Sequence, residues 1–213
     1  MNQIQKTNGS FLKITVEPPK RSRLLHVDDH PLLRLGMRTL LVKDNKFELI
    51  AECEDARTAL AQLRVEQVDA IVLEISLRDG SDGLELIKSV LSEHPKMPIL
   101  VLSTHDENLY ALRALAAGAK GYVMKGSPLE VIRNALLTVL SGQIAVSKHL
   151  ERRLVQFAVT RNRRRDAVSP LTDRELEILL RIGKGQSSCE IAATLGIALK
   201  TVETHRANMR RKL

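Results

Sequence analysis

The chain has 213 residues, with 33 Lys plus Arg, 25 Asp plus Glu, two Cys, no Trp and only five aromatic residues. That length accommodates one or two domains with a real core and no disulfide staples. The 44% hydrophobic and 27% charged fractions exclude collagen-like, disordered and small disulfide-scaffold classes. The longest apolar runs, Ala70–Leu73 with Ile75 and Ile99–Leu102, are strand-sized, which excludes a membrane-spanning helix. Residues 1–22 lack the apolar stretch of a secretory signal, and Cys53 and Cys189 lie in different segments, so a cytoplasmic protein with reduced thiols is expected. Charge is uneven: residues 1–147 hold 18 basic and 18 acidic side chains, residues 148–213 hold 15 and 7. The formal +8 lies in the last third, pointing to a polyanionic partner such as nucleic acid, with a solubilising surface as the alternative.

Residues 1–22, with Pro18-Pro19 before Lys20 and Arg21, read as a loose tail. From Arg23 onward, strand-like runs at Leu24–Val27, Phe47–Ala51, Ala70–Leu73, Ile99–Leu102 and Gly121–Met124 alternate with helical stretches. The helical stretches are Pro31–Val42, Ala56–Glu66, Leu84–Glu93, Glu107–Ala117 and Leu129–Leu140. Five strand-then-helix repeats predict a doubly wound α/β domain with a five-stranded parallel sheet over 23–142. Ligands of such sheets collect beyond the carboxyl ends of the strands. The first strand ends in Asp28-Asp29, the third in Glu74, the fourth in Ser103-Thr104 and the fifth in Lys125. Carboxylates suit a hard cation such as Mg²⁺, while a hydroxyl and an ammonium suit phosphoryl oxygens.

Residues 143–168 read as a linker with an amphipathic helix over Leu150–Val159, followed by Arg161, Arg163, Arg164 and Arg165. Thr172 with Glu175, and Ser187 with Glu190, make two capping boxes that mark helix starts fifteen residues apart. Gly185 and Gly196 end those helices, and a third runs from about Leu199. The pattern predicts an all-α helix-turn-helix over 169–213. On a wheel of about 100° per residue, Val202, Met209 and Leu213 face the core with His205 beside them in a packing role. Lys200, Thr204, Ala207 and Arg211 fall opposite, flanked by Glu203 and Asn208, on the face suited to a major groove.

The segments HVDDHP, DAIVLE, VLSTHDE and GAKGYVMK, in order at successive strand ends, resemble the receiver domain of bacterial two-component response regulators. Within that family the segments are similar to the subfamily of nitrate and capsule regulators (NarL/FixJ). The segments LTDRE, EIA, TVETHR and RKL resemble the LuxR-type DNA-binding domain of the same regulators. The resemblance implies Mg²⁺ at Asp28, Asp29 and the position of Glu74, a switch hydroxyl at Ser103, an aromatic switch at Tyr122 and a phosphoryl-binding Lys125. It also implies promoter DNA held by Lys200, Thr201, Glu203, Thr204, Ala207, Asn208 and Arg211. The implied partners are a sensor histidine kinase, RNA polymerase and a second copy of the chain. In the resting form the receiver is expected to cover the recognition helix. His30 reads as a helix-entry residue before Pro31.

Three departures from the family pattern stand out. Glu74 occupies the position of the phosphoacceptor aspartate, and its extra methylene displaces the carboxylate from the in-line position, where about 1 Å costs roughly 100-fold. Arg78 stands in the following loop, LRDGSDG, which also holds Asp79 and Asp82 as weak substitute acceptors, and Gly126 follows Lys125. Ala198 replaces a Ser helix cap, and the chain lacks the family's fourth helix, so Leu176, Leu179 and Leu180 are expected to lie partly uncovered. Glu74 reads as a mimic of the phosphorylated state, as the mark of a receiver that phosphate never switches, or as an engineered change. Loss of phosphate dependence is favoured because the neighbouring loop departs too. The leading function is DNA-binding transcriptional regulation without catalysis. The alternative is an interaction module that forms mixed dimers with a full-length relative. A third, a Mg²⁺-dependent phosphatase, lacks an activated nucleophile.

Overall fold

The structure is a computed structural model that describes residues 21–77, 81–160 and 171–212. The elements follow the order β1 (Ser22–Val27), α1 (Pro31–Lys43), β2 (Phe47–Cys53), α2 (Ala56–Val65), β3 (Ala70–Leu73), α3 (Gly83–Glu93), β4 (Ile99–Ser103), α4 (Glu107–Ala117), β5 (Gly121–Met124) and α5 (Leu129–Leu140). Four helices follow: α6 (Lys148–Thr160), α7 (Asp173–Gly183), α8 (Ser188–Leu195) and α9 (Leu199–Lys212). All five strands are parallel in the order β2-β1-β3-β4-β5, the doubly wound sheet that the apolar runs predict. β1 takes in Ser22, which the tail assignment had placed outside the fold, because Ser22 N–H donates to the Lys46 carbonyl at 2.8 Å.

Successive side chains of a strand point to opposite faces, so neighbours along β1 serve different cores. Leu25 and Val27 join Ile71, Leu73 and Val101 beneath α2, α3 and α4, while Leu24 joins Val72 and Leu100 beneath α1 and α5. Local signals start the helices: Pro31 opens α1, and the carboxylates of Asp55, Asp82 and Asp106 accept the first-turn N–H groups of Thr58, Leu84 and Asn108. α4 ends at Gly118, whose φ of 113° is left-handed backbone. Gly83 is required by proximity. A Cβ there would lie 2.6 Å from the Ile75 Cα and 2.7 Å from the Glu74 carbonyl oxygen, so Gly83→Ala is expected to lower the unfolding free energy measured in urea by about 1–3 kcal/mol.

The segment read as a linker is largely part of the receiver. Ala145 bridges Gly121 beside β5, and Leu150 on α6 is fully buried in the receiver core with Leu154 packed against it. Arg153 anchors α6 to α4 by donating to the carbonyl and Oδ1 of Asn108. The four linker arginines, Asp79 and Leu213 lie outside the described residues.

Both predicted capping boxes are formed, at Thr172/Glu175 and Ser187/Glu190, and Gly196 closes α8 with a φ of 62°. Leu171, Ile178, Ile191, Ala192, Leu195, Val202 and Met209 make the three-helix core. Lys212 folds back onto Glu175, 2.7 Å away, tying the end of α9 to the start of α7.

Leu176, Leu179 and Leu180 on α7 are half-buried, so they lie partly uncovered as expected, and two different surfaces share their cover. Leu179 packs on the three-helix core, whereas Leu176 and Leu180 pack against the receiver's apolar cluster. Their partial burial against the receiver removes apolar area from water. Arg113 on α4 adds a polar tie by donating to the Leu171 carbonyl at 2.9 Å.

Candidate functional site

The chain crosses from β1 out to β2 and returns over β1 to β3, so the winding reverses between β1 and β3 and opens a crevice at their carboxyl ends. Asp28 and Asp29 follow β1 and Glu74 follows β3 on either side of it. Ser103 ends β4, and Lys125, just past β5, reaches back across β4. All five predicted side chains converge there and are buried: Asp28 is 0% exposed, Glu74 2% and Ser103 0%, and the Lys125 side chain 4%.

Their contacts form one connected set. The Lys125 ammonium lies 2.7 Å from Asp28 Oδ2 and 2.8 Å from Glu74 Oε2. The other Glu74 oxygen, Oε1, accepts from Ser103 Oγ at 2.6 Å and from the Ile75 N–H at 2.6 Å. The longer side chain thus spends both oxygens inside the pocket. Charge-assisted bonds of this kind are the strong class of hydrogen bond, and their loss in a buried site is costly.

Among the described residues, Asp28, Asp29 and His30 form the compact group able to hold a cation, their ligand atoms all within 4.8 Å of one another. His30 Nδ1 lies 3.1 Å from Asp28 Oδ1 and 2.8 Å from Asp29 Oδ1. His30 is therefore more than the helix-entry residue its Pro31 neighbour suggests. Two buried carboxylates with converging oxygens fit a hard divalent cation, whereas Glu74 is turned toward Ser103 and Lys125. Receiver domains in general bind Mg²⁺ in the corresponding acidic pocket.

Tyr122 is buried, and its hydroxyl donates to the His105 carbonyl at 2.8 Å. Burial pushes the Tyr122 phenol well above its ordinary range. His105 escaped sequence reasoning although it stands inside the VLSTHDE segment. Its N–H donates to Ser103 Oγ at 3.2 Å, its Nε2 meets Ser76 Oγ at 2.7 Å, and its ring packs on Tyr110. It therefore touches both predicted switch residues. No spacing rule signals such a role, because a backbone carbonyl does half of the work.

His26 escaped it too. It is 1% exposed, neither ring nitrogen has a hydrogen-bond partner, and Nε2 lies 3.8 Å from Asp28 Oδ2. Burial lowers its pKa to about 4, against the attraction of Asp28 and Glu52. The native ring is then neutral while the unfolded chain still takes up a proton below about 6.5, so stability is complete above that pH and falls between about 6.5 and 4. That interval is worth at most about 3 kcal/mol, and His26→Leu is expected to flatten it in urea titrations at pH 7 and pH 5.

On α9, Lys200, Thr201, Glu203, Thr204, Ala207 and Arg211 are exposed and Asn208 is half-buried beside Arg211, while Val202 and Met209 are core, as the wheel predicts. His205 is half-buried beside the core face, as the wheel predicts, and it also meets the space beyond its own domain. With Thr201 it lines a cleft of about 210 Å³ between the domains, facing Ser76 and Tyr110 on one side and Arg174 and Glu177 on the other. The expectation that the receiver covers the recognition helix is corrected in part: the receiver meets α7 and the flank of α9 that carries Thr201, while Lys200, Thr204, Ala207 and Arg211 stay exposed.

Comparison with known proteins agrees with this geometry. Residues 24–137 match the response regulator receiver domain, and residues 169–213 match the luxR family of bacterial regulatory proteins. The chain is 34% identical to the Fimbriae Z protein of Salmonella typhimurium over 194 residues, 91% of each chain. It is 32% identical to the oxygen regulatory protein NreC of Staphylococcus aureus over 196 residues, 90% of each. Among solved structures, ChrA, a response regulator of a heme-sensing two-component system, matches at TM-score 0.52 and 30% identity over 91% of this chain and 90% of that one. RcsB dimers bound to DNA share the fold at TM-score 0.59 and 21% identity, over 89% and 90% of the chains. A receiver and a LuxR-type helix-turn-helix in this order, over nearly the whole length of such relatives, place the chain in the NarL/FixJ family of DNA-binding response regulators, which are transcription factors and not enzymes.

Proposed function

We propose that this chain is a promoter-binding transcriptional regulator whose receiver is held in one state by Glu74 instead of being switched by aspartyl phosphorylation. The observation that carries the reading is the pair of contacts from Glu74 Oε1 to Ser103 Oγ, 2.6 Å, and from Oε2 to Lys125 Nζ, 2.8 Å. A phosphoryl group on a shorter aspartate would offer its oxygens to the same hydroxyl and ammonium. Here the side chain offers them permanently. Asp28 and Asp29 would hold Mg²⁺, which supplies charge neutralisation in the acidic pocket when bound. A sensor kinase, if it docks, finds no acceptor in the in-line position. The protein acts in the cytoplasm as a homodimer on DNA, in contact with RNA polymerase.

On DNA, Lys200, Thr201, Glu203, Thr204, Ala207, Asn208 and Arg211 line the reading face, with Thr201 at its edge. Arg211→Ala is expected to weaken binding to duplex DNA and to lower the slope of log affinity against log salt by about one unit. Fluorescence anisotropy across a salt series measures this. An unchanged slope removes Arg211 from the phosphate contacts and the α9 face from the groove.

A further inference from the structure

The two domains are docked, and the reading face is open at the same time. The dock runs along α7: Leu176 and Leu180 sit on the receiver's apolar cluster, and Arg113 holds the Leu171 carbonyl. It continues across the cleft where Thr201 and His205 face Ser76 and Tyr110. At about 100° per residue, Lys200, Thr204, Ala207 and Arg211 fall within an arc of roughly 60° on α9, with Thr201 and His205 a quarter to a third of a turn away. The receiver therefore touches a flank of α9, and all four groove-suited residues remain exposed with the receiver in place.

Electrostatics favour a polyanion on that face. Lys200, Arg210 and Arg211 are exposed on α9, and residues 1–147, which include the receiver sheet and its helices, carry 18 basic and 18 acidic groups and so no net charge to repel DNA. The acidic groups at the cleft are engaged inside it: Glu177 pairs with Arg174 and Arg181, and the Asp82 carboxylate caps α3. A major groove about 12 Å wide admits a helix by one face, with the rest of the domain outside.

We infer that the docked molecule is itself DNA-competent: duplex DNA takes the Lys200–Thr204–Ala207–Arg211 face of α9 while α7 remains seated on the receiver. Separation of the domains is then no precondition for binding, which accords with a receiver whose switch residues are already occupied by Glu74. The inference rests on the DNA-binding reading above. Its test is a covalent staple across the cleft. Ser81→Cys and His205→Cys are introduced with Cys189→Ser, Cys53 being buried, and the pair is joined by a short bismaleimide.

Binding to a short random-sequence duplex at low salt is measured before and after joining. The stapled protein is expected to bind within about threefold of the unstapled one, and Arg211→Ala is expected to weaken both forms alike. A loss beyond about tenfold on stapling, with the unstapled form still binding, overturns this inference alone. Stapled binding that ignores Arg211→Ala places the DNA elsewhere and also overturns it. A protein that binds no duplex before joining overturns the DNA-binding reading, and this inference with it.

Discussion

Glu74→Asp is expected to restore sensitivity to phosphodonors. Incubated with acetyl phosphate and Mg²⁺, the chain bearing Glu74 should gain no phosphoryl mass in intact-protein mass spectrometry, whereas the Asp variant should gain one, labile to alkali. The difference should exceed about 100-fold in initial rate, the cost of misplacing a reacting atom by about 1 Å. The physical reason is the bonding of Glu74. Both of its oxygens are held, by Ser103, the Ile75 N–H and Lys125, and the carboxylate would have to break these bonds before presenting a free oxygen to a donor. Shortening by one methylene withdraws the carboxylate toward β3 and frees Ser103. An alkali-labile adduct mapped to Glu74 itself would refute the proposal that this receiver is fixed.

Lys125→Met carries the second large effect, on stability. The Asp28 and Glu74 side chains are 0% and 1% exposed, and the ammonium lies within 2.8 Å of each. Breaking a buried pair by removing one partner typically costs about 3–5 kcal/mol, because the remaining charge stays buried without compensation. Urea unfolding should show a loss of that order, and the Glu74→Gln, Lys125→Met double variant should lose less than the sum of the two singles. A cost for Lys125→Met below about 1 kcal/mol, the scale of an exposed pair, would mean that water already screens the site.

Much of this architecture is legible in the sequence because its signals are local. Each strand is a short apolar run, Pro31 marks the start of α1, and two capping boxes mark α7 and α8, so element boundaries fall within a few residues of expectation. The acidic pocket is legible for a topological reason: doubly wound sheets deliver strand ends to one edge, and Asp28, Asp29, Glu74, Ser103 and Lys125 all sit at strand ends. What escapes is contact made through backbone or across domains. The link from His105 to Tyr122 runs through a carbonyl, and nothing in residue spacing reports which carbonyl a distant hydroxyl finds. The same holds for Leu176 and Leu180. Helical periodicity shows that they share an apolar strip, but the surface that covers them is remote in the chain. The cleft that His205 lines escapes for this reason as well, since a wheel assigns a residue a direction and not a neighbour.

The strip of Leu176 and Leu180 has a thermodynamic corollary. Part of the apolar surface that α7 buries belongs to the other domain, so the free energies of the two halves are shared and not separable. Calorimetry of the intact chain should then record one melting event whose van't Hoff and calorimetric enthalpies agree, and the helical third expressed alone should melt lower than it does within the whole.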